Sequence, residues 1–185
     1  MKETGIIFST ALVPQVLDGT KTVTRRLYGL KRANLNPDAY HSSFLLNGYW
    51  AFHRPNQGWE PLLIKCPYGS IGDQLWVRET FAYCTPENSL PFYIYKADGG
   101  EQPVWGWCSP LFMPKRAARL WLEIVSIRPE RLQAITLEDA LSEGMVPDDC
   151  KGIITSFANL WDSLNPKHPW SSNPWCWRIE FKLKR

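Results

Sequence analysis

Residues Trp177-Arg178-Ile179-Glu180-Phe181-Lys182-Leu183-Lys184 alternate apolar and charged side chains at every step. Successive side chains of a β-strand point to opposite faces, and this pattern therefore predicts a strand with one buried and one solvated face. A second strand is predicted over Ala118–Ile127, which is apolar nearly throughout, as in strands that are buried on both faces. The two segments predict a β-sheet that includes the C-terminal end of the chain.

Shorter patterns add strands and helices. Ile6–Phe8 and Gly72–Glu79, which opens with a Gly-Asp turn, predict further strands. The spacing of apolar residues predicts a short helix ending at Gly19, one beginning at Thr136, and a longer helix near 153–164. We therefore expect an α+β fold. Strands scattered so widely most simply close into a small β-barrel, with the helices flanking it.

Two stretches, about 28–60 and 84–114, interrupt these patterns and are rich in proline and aromatic residues. We interpret them as insertions into a single domain spanning 1–185, since a chain of 185 residues is short for two domains. The first insertion is expected to contain a hairpin around Phe44–Phe52. Hydrophobic residues make up 44% of the chain and charged residues 21%, which argues against disorder.

Composition also limits the partners and the compartment. A net charge of +3 is compatible with nucleic acid but low for a dedicated DNA-binding protein, and the sequence has no DNA-specific motif. The five cysteines are scattered without zinc-site spacing or a disulfide pattern. We therefore predict no metal and no cofactor, and expect a cytoplasmic protein. No apolar segment reaches membrane-spanning length, which predicts no membrane partner.

Chemically active side chains concentrate in Gly19-Thr20-Lys21-Thr22-Val23-Thr24-Arg25-Arg26. A lysine that loses its proton is a base, and a nearby threonine hydroxyl is a nucleophile that needs one. Arg25 and Arg26 supply fixed positive charge and planar donors that suit phosphate or carboxylate. The segment therefore predicts either a small active site or an anion-binding turn.

The spacing of Lys21 and Thr24 sets a condition on an active site. On a strand, two residues three apart point to opposite faces, and the pair can meet only if Gly19–Val23 is not extended. Lys21 must also lose its proton well below its ordinary pKa of about 10.4. Burial and the neighbouring arginines lower that pKa, whereas a nearby carboxylate raises it.

Several motifs occur here in the order found in ASCH domains, which are PUA-like β-barrels associated with RNA. They are the G-x-K-T-x-T-x-R string, the Gly-Asp-x-Leu strand, the Glu-Asp-Ala-x-x-Glu-Gly turn and the terminal Ile-Glu-Phe strand. The chain resembles this family from Ile6 to Lys184. It is also similar to ASCH proteins of phage and prophage genomes, which share the motifs at Cys66–Gly69, Leu75–Thr80 and Asn173–Trp175.

The resemblance implies an activity and a set of site residues. Compact bacterial ASCH proteins are amidohydrolases that remove the acetyl group from N4-acetylcytidine with a lysine, a threonine three residues later and a downstream glutamate. These correspond to Lys21 as base, Thr24 as nucleophile and Glu143 as the group that orients them or relays protons. Glu79 is the reserve candidate for the carboxylate. The expected substrate-binding residues are Arg25, Arg26, Glu79, Trp76 and Trp175, with a tryptophan stacking on the pyrimidine.

Other functions stay open at this point. A non-catalytic RNA-binding module predicts a continuous basic surface through Arg25, Arg26, Lys31 and Arg32, with salt-sensitive RNA affinity. A ribonuclease ranks last because no dense carboxylate cluster suggests a two-metal site. For the amidohydrolase, the substrate is a nucleoside or a modified RNA. Direct attack by water, with Thr24 only binding the substrate, is a further variant of the mechanism.

Overall fold

The computed structural model describes residues 1–55, 60–85, 90–146 and 152–184. The strands of this part of the chain are β1 (Glu3–Ile7), β2 (Val23–Arg26), β3 (Ser42–Leu46), β4 (Tyr49–His53), β5 (Leu62–Ile64), β6 (Gln74–Arg78), β7 (Phe81–Cys84), β8 (Phe92–Tyr95), β9 (Trp121–Arg131) and β10 (Trp175–Leu183). Its α-helices are α1 (Val13–Leu17), α2 (Leu137–Ser142) and α3 (Ile153–Leu164). The predicted α+β class is confirmed. None of these helices is long and apolar enough to cross a membrane.

The described strands form three open sheets. The largest has the order β1-β6-β9-β10-β2, in which β1 runs parallel to β6 and the other neighbours are antiparallel. β3, β4 and β5 form a second antiparallel sheet, and β7 and β8 form a hairpin. Within the described residues the expected closed barrel is absent, because β1 and β2 lie at opposite edges of the large sheet.

The two long strands agree with the sequence to different degrees. β10 has the predicted alternation, with Trp177, Ile179 and Phe181 all buried. The prediction that the other long strand is buried on both faces is wrong for β9. Leu122 and Ile124 are fully buried, but Val125 is 41% exposed, and the polar residues on that side of the strand remain in contact with water.

The first predicted insertion contains the expected hairpin. β3 and β4 are joined by Asn47 and Gly48, which have φ angles of 48° and 78°. Two successive residues with positive φ are typical of the tight turns whose twist matches that of a hairpin. The second insertion contributes β8 and short 3-10 turns. Residues 56–59 and 86–89, which belong to these insertions, lie outside the described residues.

The two faces of the large sheet are covered by different layers. One face packs into the main core with Phe8 and Phe52. The other face holds a smaller cluster of buried residues under α2 and α3: Leu132, Ile135, Ala140, Phe157, Trp161 and Cys176. As predicted, α2 begins at Thr136, whose hydroxyl accepts a hydrogen bond from the backbone N–H of Asp139 at 3.1 Å. This packing brings the C-terminal end of α2 next to the start of β2.

Candidate active site

The segment between α1 and β2 is fixed by backbone hydrogen bonds to both neighbouring helices. Gly19 has a φ of 83°, a left-handed conformation that turns the chain after α1. The N–H of Lys21 then donates to the carbonyl oxygen of Gln15 at 2.8 Å, and the N–H of Thr22 donates to that of Ser142 at 2.9 Å. The segment is therefore held between α1 and the last turn of α2, directly beside Glu143.

Lys21 and Thr24 both line one cavity of about 320 Å³. β2 begins at Val23, and Lys21 precedes the strand. The opposite-face rule holds for residues within one strand, and it therefore does not fix the direction of the Lys21 side chain relative to that of Thr24. The cavity lies at β2, the edge strand of the large sheet, where side chains from both faces reach it.

The lining of the cavity divides into two parts. Its polar part consists of Lys21, Thr24, Arg25, Arg26, Glu143 and Asn165. Its apolar wall consists of Leu12, Leu27, Met145, Phe157, Leu160, Trp161 and Leu164. Four residues of this wall belong to α3, which the sequence analysis did not assign to the site. The signal in the sequence is the apolar stripe of α3. In the structure two members of that stripe, Leu160 and Leu164, are exposed.

Lys21 is 2% exposed, and its amine is held by backbone oxygens. Nζ donates to the carbonyl oxygen of Glu143 at 2.7 Å and to that of Val23 at 2.9 Å, whereas the nearer Glu143 carboxylate oxygen is 3.7 Å away. Burial lowers the pKa of Lys21 to about 8; Glu143 opposes this shift, and Arg26 and Arg25 add to it. Removal from water therefore dominates over the adjacent carboxylate.

The two carbonyl contacts suit a neutral amine. A neutral lysine has two N–H bonds and one lone pair, and two carbonyl acceptors satisfy both N–H groups. The lone pair of Lys21 is then free to accept a proton. The ring of Phe8, which is 1% exposed, lies 5.5 Å from Nζ and contributes to the apolar surroundings.

Arg25 lies in an internal network of ion pairs. Its Nη1 donates to Glu143 Oε1 at 2.9 Å, and its Nη2 donates to Asp139 Oδ2 at 2.7 Å and to Glu130 Oε1 at 2.5 Å. Arg178 lies opposite Arg25 on β10, and Asp139 bridges the two by binding Arg178 through Oδ1 at 2.7 Å. These contacts match the charge of Arg25 inside the protein, and its expected role in binding substrate stays a prediction.

The same burial affects the basic surface that an RNA-binding module predicts. Lys31 and Arg32 are exposed, but Arg25 is 4% exposed and Arg26 is half-buried. Arg25 cannot contribute to a continuous surface patch with the other three residues. In addition, each of the three carboxylates that bind Arg25 pairs with a second cation: Glu143 with Lys21, Glu130 with Arg128 and Asp139 with Arg178.

Arg26 shares with Arg25 a buried Nε that has no hydrogen-bond partner among the described residues. Its Nη2 donates to the carbonyl oxygen of Ile7 at 2.7 Å, and its guanidinium lies 5.3 Å from the ring of Phe8. Its Nε is buried, and no group in the described part of the chain accepts its hydrogen bond. Burial lowers the pKa of Arg26 from its ordinary value. Arg26 therefore lines the cavity as a cation with an unused donor.

Glu79, the reserve carboxylate and an expected substrate contact, lies outside the cavity lining. It is 1% exposed and forms a two-pronged ion pair with Arg119, in which Nε and Nη2 each donate to one carboxylate oxygen at 2.9 Å. The guanidinium of Arg119 also stacks on the ring of Tyr95 at 4.0 Å. Glu79 is thus occupied in a separate cluster, and Glu143 is the carboxylate that meets Lys21.

The two tryptophans expected to stack on a pyrimidine are also elsewhere. Trp76 lies on β6, where the guanidinium of Arg78 is 5.4 Å from its ring. Trp175 is buried against Phe52 with ring centroids 5.1 Å apart, and its Nε1 donates to the carbonyl oxygen of Pro37 at 3.1 Å. The aromatic residues that do line the cavity are Phe157 and Trp161.

The described residues contain no group of three or more histidine, cysteine, aspartate or glutamate side chains placed to hold a metal ion. The polar part of the cavity instead offers an amine, a hydroxyl, a carboxylate and a guanidinium. Such a set can perform proton transfer, nucleophilic attack and stabilisation of developing negative charge. Comparisons of the chain with family models, curated proteins and solved structures found no match.

Proposed function

We propose that this protein is an amidohydrolase that removes the acyl group from N4-acetylcytidine or a related N-acylated nucleoside, free or within RNA. The observation that carries the proposal is the buried amine of Lys21, which shares a cavity with Thr24 and Glu143. The three residue types agree with those that the ASCH resemblance implies. Membership of that family, a single domain and a cytoplasmic location are parts of the same proposal.

In the first half of the proposed reaction, Lys21 accepts the proton of the Thr24 hydroxyl while Oγ1 attacks the acyl carbon. The new C–O bond forms as the carbonyl electron pair moves onto its oxygen. Protonated Lys21 then gives its proton to N4 of cytidine as the C–N bond breaks. The products of this half are cytidine and an acyl ester on Thr24. Water then attacks the ester carbon as Lys21 accepts its proton. The bond between the acyl carbon and Thr24 Oγ1 breaks, Oγ1 takes the proton back from Lys21, and the carboxylic acid is released.

Two neighbouring groups support these steps. The unpartnered Nε–H of Arg26 is a donor for the oxyanion that forms on the acyl oxygen. A donor in a buried site stabilises such a charge more strongly than one in water. The carboxylate of Glu143 favours the protonated form of Lys21 when that form appears during the reaction. Glu143 therefore stabilises the charged intermediate state, and its backbone oxygen orients the amine.

The size and lining of the cavity support a small aromatic substrate. A volume of about 320 Å³ lies near the lower end of the range of roughly 300–1,000 Å³ that is typical of small-molecule sites. The apolar wall from α3 and the polar wall from β2 face the same space. We assign the acyl amide to the polar wall and the pyrimidine to the side of Phe157 and Trp161.

The test is to incubate the protein with N4-acetylcytidine and to measure cytidine release by chromatography. We expect turnover by the wild type and its loss in both Lys21→Ala and Thr24→Ala. Lys31→Ala is the matched control, since Lys31 is an exposed lysine away from the cavity lining. No release by the wild type, under conditions in which a compact ASCH amidohydrolase is active, would contradict the proposal and favour RNA binding instead.

A further inference from the structure

Arg25 is the most enclosed charge of the site, and the proposed reaction gives it no step. Its side chain has 0% exposure, and one planar guanidinium contacts three carboxylates. Glu130 comes from β9, Asp139 from α2, and Glu143 directly follows α2. Burying a cation is costly unless it is paired, and this arrangement therefore fixes all three carboxylates around one centre.

The two oxygens of Glu143 are divided between two cations. Oε1 accepts a hydrogen bond from Arg25 at 2.9 Å, whereas Oε2 lies 3.7 Å from Lys21 Nζ. The second distance exceeds the range of about 2.7–3.2 Å in which N–H···O hydrogen bonds form. Lys21 donates to backbone carbonyls instead. The carboxylate nearest to Lys21 is thus bound to a different residue.

We propose that Arg25 is a positioning residue that keeps the Glu143 carboxylate beyond hydrogen-bond distance of Lys21 Nζ. This inference rests on the proposed function, in which Lys21 acts as a base. Among the described residues, the charged groups that act on Lys21 are Glu143, Arg26 and Arg25. At 3.7 Å Glu143 already opposes the lowering of the Lys21 pKa, and a carboxylate that accepted a hydrogen bond from the amine would favour the ammonium form further. Arg25 thereby helps to keep the pKa of Lys21 low enough for the neutral base to form.

The substitution Arg25→Lys separates this role from a simple effect of charge. It keeps a positive charge near Lys21, but a lysine ammonium lacks the planar fork of a guanidinium. The new ammonium cannot reproduce the arrangement in which Nη1 binds Glu143 while Nη2 binds Glu130 and Asp139. We expect Glu143 to turn towards Lys21 and to raise its pKa by about 1 unit. Arg178→Lys is the matched control, because Arg178 contacts Asp139 and Glu180 in the same network.

The pKa of Lys21 can be read without substrate from the pH dependence of its ¹³Cε chemical shift by NMR. We expect a rise in Arg25→Lys and none in Arg178→Lys. An unchanged pKa in Arg25→Lys, or an equal rise in both variants, would overturn the inference. Because this measurement needs no turnover, a protein that fails to hydrolyse N4-acetylcytidine still gives a result on Arg25. The two proposals can therefore fail separately.

A second background shows whether the effect passes through Glu143. In Glu143→Gln the carboxylate is removed, and adding Arg25→Lys is expected to leave the Lys21 pKa unchanged from that of Glu143→Gln. A rise as large as in the wild-type background would contradict the inference. The comparison of Glu143→Gln with the double variant also tests the inference if Arg25→Lys alone does not fold, since Glu143→Gln removes one of the charges that Arg25 must neutralise.

Discussion

Replacing Lys21 with methionine is expected to change how the stability of the protein depends on pH. The pKa of Lys21 falls from 10.5 to about 8 in the folded protein. At about 1.36 kcal/mol per pKa unit, this corresponds to a cost of about 3 kcal/mol for holding the ammonium form in the folded state. Lys21 is 2% exposed, and solvent screening therefore reduces this cost little.

The direction of the effect follows from proton binding. Below about pH 8 both the folded and the unfolded chain hold the Lys21 proton, and the folded state bears the full cost. Between about 8 and 10.5 the unfolded chain binds more protons, and stability rises with pH. Above that range the cost is gone. Lys21→Met lacks this titration. The wild type should therefore gain about 3 kcal/mol of unfolding free energy relative to the variant between pH 7 and 10.5.

Urea denaturation followed by tryptophan fluorescence at a series of pH values measures this difference. Lys21→Met also removes the donor to the carbonyl oxygens of Val23 and Glu143, but that loss does not depend on pH and cancels from the comparison. Lys31→Met, at an exposed site, is the matched control and should follow the wild type at every pH. A difference between wild type and Lys21→Met that stays constant with pH would refute the account of Lys21 as a buried base.

Two further substitutions distinguish structural from functional residues. Glu79→Gln should lower the unfolding free energy by about 1–3 kcal/mol, because Arg119 loses the buried carboxylate that accepts two of its hydrogen bonds, yet leave cytidine release intact; lost release at full stability would show that Glu79 is functional. Gly144→Ala should both destabilise the protein and slow cytidine release, because its φ is 88° and the added Cβ would meet the side-chain amide of Gln15 beside Glu143. Gly48→Ala is its control, since Gly48 has a φ of 78° but open space around it; equal rates in the two variants would contradict this prediction.

Features governed by neighbouring residues in the chain could be predicted from the sequence. The alternation in β10, the hairpin around Phe44–Phe52 and the cap at Thr136 rest on local signals, and each is present in the structure. The face of β9 could not be assigned in this way. The burial of β9 depends on which layers cover the sheet. Helices α2 and α3 cover the sheet near Cys176, at the other end of β9 from Leu122.

In the candidate site, too, residues marked by local sequence could be predicted, whereas contacts between distant segments could not. Lys21 and Thr24 were identified because they are close in sequence, and Glu143 because a motif marked it. The role of Arg25 was missed because its three carboxylate partners come from distant segments. Trp175 was misplaced for a related reason, since only its packing against Phe52 reveals that it belongs to the core. Sequence spacing reports side-chain type and local direction but not long-range contacts.

The most direct test of the account is the pH dependence of cytidine release from N4-acetylcytidine, measured as kcat/KM between pH 6 and 10. If Lys21 is the base, the rate should rise with pH along a limb centred near its pKa of about 8 and then level off. A limb centred at the ordinary lysine pKa of about 10.4, or a rate that does not change with pH, would contradict the assignment of Lys21. An absence of release at every pH would contradict the proposed activity itself.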